Sequence, residues 1–218
     1  MQKINYQLKL DEILKQLDST VPTLMLHSCC APCSSYVLEY LSQYFSITVL
    51  YYNPNISPIE EYEHRKSEQI RLIKEGTWSN HVDILDCDWD RESFDNIATG
   101  LEEVPEGGIR CFKCYELRLR AAAEAAKQHN YDYFTTTLTI SPLKNAQIIN
   151  EIGLRLEDEY GIKYLPSDFK KRNGYKRSIE LSAQYGLYRQ NYCGCVYSKQ
   201  AVRHTTGVES DIPKQAQE

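Results

Sequence analysis

The stretch LMLHSCCAPCSS, residues 24–35, passes from an apolar strand into a helix and carries three cysteines at the junction. The apolar run Val21–His27 predicts a buried strand, and Ser34–Tyr44 predicts the helix that follows it. Cys29, Cys30 and Cys33 lie between the two elements. Because a strand that leads into a helix is the repeating unit of a parallel sheet, this junction predicts an α/β fold with thiols at one edge of the sheet.

The same order of elements continues along the chain. Further strands are predicted at 46–52, 81–85, 131–137 and 162–165, and further helices at 58–74, from 91, at 110–128, behind Pro142 and at 174–186. This alternation predicts a parallel sheet with helices on both faces. Ligands of such sheets bind at the carboxyl ends of the strands, so the segments HSCCAPC and TTTLTISPLK are expected to share one pocket.

The length of 218 residues suits one substantial domain. We expect a helical extension over residues 1–20, a single α/β domain that carries the chemistry over 21–204, and a flexible tail over 205–218. The N-terminus has no apolar signal-peptide core, and no apolar run is long enough to span a membrane. The expectation is therefore a soluble cytoplasmic protein. Its thiols would stay reduced, so its eight cysteines indicate metal binding or redox chemistry.

The net charge of −5 argues against a polybasic nucleic-acid binder. The charge is uneven, however, because seven basic residues stand between Lys163 and Gln190 and only Asp168 and Glu180 oppose them. Such a patch could bind the phosphates of a partner, and a solvated helix face explains it equally well.

A second group of thiols begins the predicted helix at 110–128. Cys111 and Cys114 form a C-x-x-C whose spacing places both sulfurs on one helical face, where a helix N-terminus favours thiolates. With Cys29 and Cys30 they make four sulfurs, a set that suits zinc or an iron–sulfur cluster. Two adjacent cysteines are awkward for zinc, so the pattern favours the cluster. Cys33 is a possible further ligand.

A third thiol pair, Cys193 and Cys195, stands in the sequence YCGC. A disulfide across one residue closes a very small ring, and a strained disulfide is easily reduced. This spacing favours redox exchange, and a second metal site is the alternative. Cys87 is expected to be a buried apolar side chain, and His27 a hydrogen-bonded strand residue.

Three polar segments complete the candidate site. TTTLTISPLKN brings hydroxyls and Lys144 to a strand end, SDFKKRNGYKRS sets Asp168 among bases, and LYRQNYCGC places Arg189 and Tyr192 beside the thiol pair. A strand end rich in hydroxyls can bind anionic ligands, although threonine is also common in strands.

Six motifs now stand in order along the chain: LHSCCAPCS, NPNISPIEEYEHR, GLEEVPEGGIRCFKCYELRL, YDYFTTTLTISPLKN, SDFKKRNGYKRS and LYRQNYCGC. Together they resemble the epoxyqueuosine reductase family of the QueH type, from about Leu24 to Ser198. The resemblance implies a cobalamin-independent oxidoreductase that carries out the last step of queuosine formation. Its substrate would be epoxyqueuosine at the wobble position of certain tRNAs, and its fold would be like that of adenine-nucleotide α-hydrolases.

The resemblance also implies roles for individual residues. A 4Fe–4S cluster would be bound by Cys29, Cys30, Cys111 and Cys114, and Cys193 and Cys195 would be a redox-active pair that forms a reversible disulfide. The mechanistic hypothesis is that the cluster, or an additional mononuclear metal held near it, polarises the epoxide oxygen, which Asp168 or Tyr192 protonates. The phosphates of tRNA would be bound by Lys144, Lys170, Lys171, Arg172 and Lys176. The electron donor has no signature in the sequence.

Three other functions compete with this one. The first is a zinc-stabilised RNA-binding module, and the second is an ATP-dependent tRNA thiolation enzyme. The second would need a glycine-rich phosphate loop after the first strand, where SCCAPCSS contains no glycine. The third is a general disulfide oxidoreductase, which would leave the other thiols and the basic patch unexplained.

Overall fold

The computed structural model describes residues 4–17 and 20–199. Within them, five strands alternate with seven helices, and a 3₁₀ turn at Thr137–Ile140 follows the fourth strand. The strands are β1 Thr23–His27, β2 Ser46–Leu50, β3 Val82–Leu85, β4 Tyr133–Thr136 and β5 Lys163–Tyr164. The helices are α1 Tyr6–Gln16, α2 Ala31–Leu41, α3 Ile59–Glu75, α4 Arg91–Ala98, α5 Ile109–Gln128, α6 Ala146–Tyr160 and α7 Gly174–Gln184.

The strands form one sheet in the order β3-β2-β1-β4-β5, and every neighbouring pair is parallel. The chain leaves β1 towards β2 on one side and later returns to β4 on the other. The topological switch point therefore lies between β1 and β4, where the carboxyl ends of adjacent strands diverge and leave a crevice. The predicted α/β class and parallel sheet are confirmed.

Side chains of β1 alternate between two apolar cores. Leu24 and Leu26 are fully buried in a cluster with α2 and with Leu72 of α3. Met25 points to the opposite face, where it is buried against α5 and α6. Because successive strand residues face opposite sides, a continuous apolar run indicates a strand covered on both faces. Full burial of each such side chain contributes about 2 kcal/mol.

The helix after β1 begins earlier than the sequence predicts. It starts at Ala31 rather than Ser34, with Pro32 in its first turn, a position where proline costs no hydrogen bond. Cys30 becomes the residue that precedes the helix, and Cys33 lies inside the first turn. The shift brings Cys33 back towards the end of β1.

Helix α1 lies within the helical extension expected over residues 1–20, and its Leu10 and Leu14 belong to the apolar cluster that covers β1. The limits of the domain remain predictions. The tail predicted for 205–218 lies outside the described residues. None of the helices in the described ranges is both long and apolar enough to cross a membrane.

Candidate metal and redox centre

Three cysteine sulfurs meet at the carboxyl end of β1. The sulfurs of Cys29, Cys30 and Cys33 all lie within 4.8 Å of one another, and those of Cys29 and Cys30 are 3.9 Å apart. In the part of the chain that the structure describes, this is the one group of three or more histidine, cysteine or acidic ligand atoms so close together. The Thr137 hydroxyl, just past β4, donates to the Cys29 sulfur at 3.5 Å. The trio therefore lies at the switch point.

Hydrogen bonds among the three thiols shift their pKa values in opposite directions. Hydrogen bonds from Cys30 and Cys33 hold the pKa of Cys29 well below its usual range. The same hydrogen bond to Cys29 raises the pKa of Cys30 to about 12, and Cys29 and Cys30 together raise the pKa of Cys33. Cysteine ligates a metal as the thiolate, so the lowered pKa of Cys29 suits a metal ligand.

Four further cysteines line a small cavity, which adjoins the main cavity described below. Cys111 and Cys114 lie in the first turns of α5, and they face Cys193 and Cys195 across this space of about 20 Å³. The backbone N–H of Gly107 donates to the Cys111 sulfur at 3.3 Å. Burial raises the pKa of Cys114 to about 12, and the nearby Arg118 guanidinium opposes that rise.

The main cavity has a volume of about 380 Å³ and is lined by Cys29, Cys30, Cys33 and Cys193. Cys193 lines the smaller cavity as well, so this residue is common to the two groups of cysteines. The predicted ligands Cys29, Cys30, Cys111 and Cys114 are thus divided between two adjoining spaces. That division is compatible with a cluster, because its cysteines bind separate irons, whereas ligands of a single ion must converge on one point.

Lys144 and Glu106 also line both cavities. Burial by itself would lower the pKa of Lys144, but the thiols of Cys193, Cys29 and Cys33 outweigh it and raise that pKa. Lys144 was expected at a tRNA phosphate, and the structure positions its ammonium among sulfurs. Glu106 follows a proline in the loop before α5, inside the motif GLEEVPEGGIRCFKCYELRL, but an acid in a glycine- and proline-rich loop carries no signal for a thiol-lined cavity.

Two buried polar side chains at the smaller cavity have atoms without a hydrogen-bond partner. Arg118 and Asn55 are each 1% exposed and line this cavity. The Nη2 atom of Arg118 and both amide atoms of Asn55 are unpartnered, although Arg118 Nε donates to the Cys114 carbonyl at 3.2 Å. Unpaired buried donors and an uncompensated cation are costly. They fit an anionic, sulfur-rich group such as a thiolate-ligated cluster.

Sequence reasoning missed both of these residues. Arg118 follows Cys114 by four positions, a spacing that places the two on one face of α5, and this signal could have identified it. Asn55 stands in the loop after β2, where asparagine is a common turn residue. Nothing in the sequence separates it from such a residue.

The segment Cys193–Gly194–Cys195 is held through its backbone. Arg65 donates to the Cys193 carbonyl at 3.2 Å, and the N–H of Ser57 donates to the Gly194 carbonyl at 3.0 Å. Gly194 has a φ of +115°, and a Cβ there would lie 2.9 Å from Ile56 and 3.0 Å from Arg65. Both cysteines are free thiols. Glycine is therefore the residue that this turn requires.

The two expected proton donors have different surroundings. Tyr192 lines the main cavity, and its ring lies 5.0 Å from the Arg65 guanidinium. Burial, together with the Glu61 carboxylate, raises the pKa of Tyr192. The Asp168 carboxylate instead accepts from Lys170 at 2.6 Å, and of these three residues only Tyr192 is among the described residues that line either cavity.

Outside the two cavities lie the other residues predicted to bind phosphates, together with His27 and Cys87. Arg172 is paired with Asp11, whereas Lys171 and Lys176 are exposed beside the start of α7. His27 is buried, with Nδ1 2.8 Å from Thr136 Oγ1 and Nε2 3.2 Å from the Tyr52 carbonyl oxygen; burial lowers its pKa to about 3. It is the hydrogen-bonded strand residue that the sequence predicts. Cys87 is half-buried and packs beside the core around α5.

Seven of the eight cysteines thus surround two adjoining cavities at the switch point of a parallel sheet. This arrangement defines a class of α/β proteins with a thiol-rich site, in which the group of Cys29, Cys30 and Cys33 could hold a metal ion. The family model described as epoxyqueuosine reductase QueH matches residues 24–201. The chain belongs to this family.

Curated relatives carry the same description. The epoxyqueuosine reductase QueH of Staphylococcus epidermidis is 46% identical over 203 residues, which cover 90% of this chain and 85% of the relative. The Streptococcus pyogenes protein of that name is 45% identical, with 90% and 79% covered. The Thermotoga maritima protein is 33% identical, with 81% and 90% covered. The similarity therefore extends over most of this chain and most of each relative.

Proposed function

We propose that this protein is an epoxyqueuosine reductase, which removes the epoxide oxygen of epoxyqueuosine in tRNA to give queuosine. The observation that carries the proposal is the position of Cys193, a residue that lines both the cavity of about 380 Å³ and the smaller cavity of Cys111 and Cys114. A redox-active thiol between a substrate-sized space and a group of metal ligands is what a metal-dependent reductase needs. The names of the curated relatives support the same activity.

For the cofactor we propose a 4Fe–4S cluster bound by Cys29, Cys30, Cys111 and Cys114. The thiol-rich donor set, the buried Arg118 cation and the unpartnered amide of Asn55 all suit an anionic cluster with sulfur acceptors. Such a cluster would supply electrons one at a time. Protein groups would orient the substrate, exclude water and provide the protons.

A mononuclear metal at Cys29, Cys30 and Cys33 is the second candidate. The three sulfurs lie within 4.8 Å of one another, which favours a single ion. With Zn–S bonds of about 2.3 Å, two thiolates on one tetrahedral zinc lie about 3.8 Å apart. The observed 3.9 Å between the Cys29 and Cys30 sulfurs is close to that separation. A zinc-stabilised RNA-binding module would use the same trio. Metal analysis of anaerobically purified protein separates the two, because zinc without iron would favour the binding module.

The thiol pair can supply the electrons for one turnover. When Cys193 and Cys195 form a disulfide, they release two electrons and two protons. The epoxide accepts both, its two C–O bonds break, a carbon–carbon double bond forms, and the oxygen leaves as water. An external reductant then restores the two thiols. Arg65 and Ser57 hold the backbone of this turn, which keeps Cys193 at the cavity wall.

Tyr192 is the proton donor that the geometry favours. Replacing it by phenylalanine removes only the hydroxyl, so the turnover number should fall about 100-fold or more, as expected when a general acid is lost. The ring contact with Arg65 is retained, and substrate binding should change little. Single-turnover kinetics measure the effect.

The matched control is Asp168→Asn, which breaks the ion pair with Lys170 away from the cavities. We expect this variant to keep most of the wild-type rate. A large loss in Asp168→Asn, combined with a normal rate in Tyr192→Phe, would reverse the assignment of the proton donor.

Arg118 should raise the reduction potential of the bound cluster. Its buried positive charge favours the more negative, reduced state, and its unpartnered Nη2 can donate to sulfur. Arg118→Met is expected to lower the midpoint potential by tens of millivolts, and Arg118→Lys, which keeps the charge, by less. Potentiometric titration followed by electron paramagnetic resonance measures both. Equal potentials in all three proteins would contradict this role.

The decisive test of the function is an anaerobic assay on tRNA that carries epoxyqueuosine. The mixture contains iron-replete protein and a chemical reductant but no cobalamin, and mass analysis of the nucleosides follows the reaction. Conversion to queuosine is expected. The absence of conversion with iron-replete protein would overturn the proposal.

A further inference from the structure

The mouth of the main cavity exposes large apolar side chains. Leu143, directly after Pro142, is 78% exposed, the highest value among the large hydrophobic residues that the structure describes. Tyr175 is 37% exposed, and both residues line the cavity. Ile179, 43% exposed, lies one turn after Tyr175 on the same side of α7. Exposed apolar residues gathered at a cavity mouth indicate a surface that another molecule covers.

Positive charge surrounds these residues. Lys171 and Lys176 flank Tyr175 along the chain, both are exposed, and neither makes an ion pair within the described ranges. Arg189 lines the same cavity, where its guanidinium donates to the Ser182 hydroxyl at 3.0 Å. Glu106 is the one acid among the lining residues of the described chain. An apolar surface with cations at its border, in a protein of net charge −5, complements nucleic acid.

The size of the cavity limits what can enter it. A space of about 380 Å³ suits one nucleoside turned out of its loop, and enzymes that modify a base take it out of the stack in this way. The nucleotides on either side must then remain at the mouth, next to Leu143 and Tyr175. This step rests on the proposed function.

We propose that Tyr175 and Leu143 form a stacking platform for the unpaired base next to the epoxyqueuosine nucleotide, with Lys171 and Lys176 at the phosphates of the same strand. The tyrosine ring offers its face to the neighbouring base, and the leucine covers the edge of that base. Stacking on an aromatic ring tolerates any base, since every base has a π-face. The platform would therefore recognise a single-stranded RNA loop rather than a particular neighbouring base.

The experiment uses an anticodon stem–loop RNA with 2-aminopurine next to the wobble nucleotide and the full-length protein. Stacking on Tyr175 should change the fluorescence of 2-aminopurine when the wild-type protein binds. Tyr175→Ala should abolish that change and weaken binding about 10-fold, whereas Tyr175→Phe should preserve both. Because Tyr175 and Leu143 are surface residues, thermal unfolding of Tyr175→Ala and Leu143→Ser should match that of the wild type.

Lysine variants test the phosphate contacts separately. Lys176→Glu should weaken RNA binding and reduce its dependence on salt concentration, because a phosphate contact is lost. Lys74→Glu, in the last turn of α3 at the opposite edge of the sheet, is the matched control and should bind normally.

The outcomes separate this inference from the proposed function. Wild-type affinity and fluorescence in Tyr175→Ala would overturn the platform, as would failure of the wild-type protein to bind the stem–loop. Neither result depends on turnover. Conversely, a platform with the expected behaviour in a protein that does not convert epoxyqueuosine would leave the RNA site intact and refute only the reductase activity.

Discussion

Cys193→Ser is expected to abolish the conversion of epoxyqueuosine while iron content and visible absorption of the cluster stay at wild-type values. Serine has nearly the shape of cysteine but cannot form a disulfide, so the two-electron step has no donor. Cys193 is one of seven cysteines at the two cavities, and its backbone is held by Arg65 at 3.2 Å. The loss should therefore reflect chemistry and not a displaced loop. Activity with excess reductant and iron analysis on the same sample provide the measurement.

Cys87→Ser is the control for this variant, because Cys87 is half-buried and lies outside both cavities in the described chain. It should retain activity and iron. Two results would contradict the redox role of Cys193. Full turnover in Cys193→Ser would exclude it directly, and an iron loss equal to the loss of activity would make Cys193 a ligand instead.

The second large effect concerns the ligands. Alanine at Cys114 should remove most of the bound iron together with activity, because a missing thiolate leaves one iron without a protein ligand. Cys33→Ala should retain the iron if the cluster uses Cys29, Cys30, Cys111 and Cys114 as proposed. Iron and sulfide analysis after anaerobic purification distinguishes the two variants, and wild-type protein is the reference.

The variants Cys114→Ala and Cys33→Ala also test the alternative of a mononuclear metal. A metal bound by Cys29, Cys30 and Cys33 would be lost in Cys33→Ala and retained in Cys114→Ala, the reverse of the expected pattern. Loss of one metal in each variant would indicate two separate sites. Circular dichroism of each variant checks that the fold survives, since Cys114 is buried next to Phe94.

Much of the framework was accessible from local sequence patterns. The apolar run before Cys29 predicted a strand covered on both faces, and the structure shows Leu24 and Leu26 on one side with Met25 on the other. Strand and helix boundaries follow from periodicity and from proline and glycine, which act over a few residues. Helix α2 begins three residues before the predicted Ser34, because Pro32 suits the first turn of a helix and lets the helix start at Ala31.

Local sequence patterns do not show which distant segments contact each other. Asn55 and Glu106 show no pattern of their own that marks them as lining a cavity with thiols, and Arg118 is marked only by its spacing from Cys114. The proposed phosphate contact of Lys144 stays a prediction, and its position beside both groups of cysteines has no signature in the sequence around it. Which groups face one another depends on how helices pack across the sheet, and no short segment carries that information.

Local periodicity and motifs of neighbouring residues are enough to predict the parallel α/β fold, the edge of the sheet where the thiols gather and the resemblance to a reductase family. The division of the sulfurs between two cavities, the grouping of Cys33 with Cys29 and Cys30, and the place of Cys193 at both cavities become visible only in the folded chain. The reason is physical: parallel strands bring the loops that follow β1 and β4 and the start of α5 to one edge. The turn after α7 is fixed there by contacts such as Arg65 with the Cys193 carbonyl, 128 positions apart in the chain.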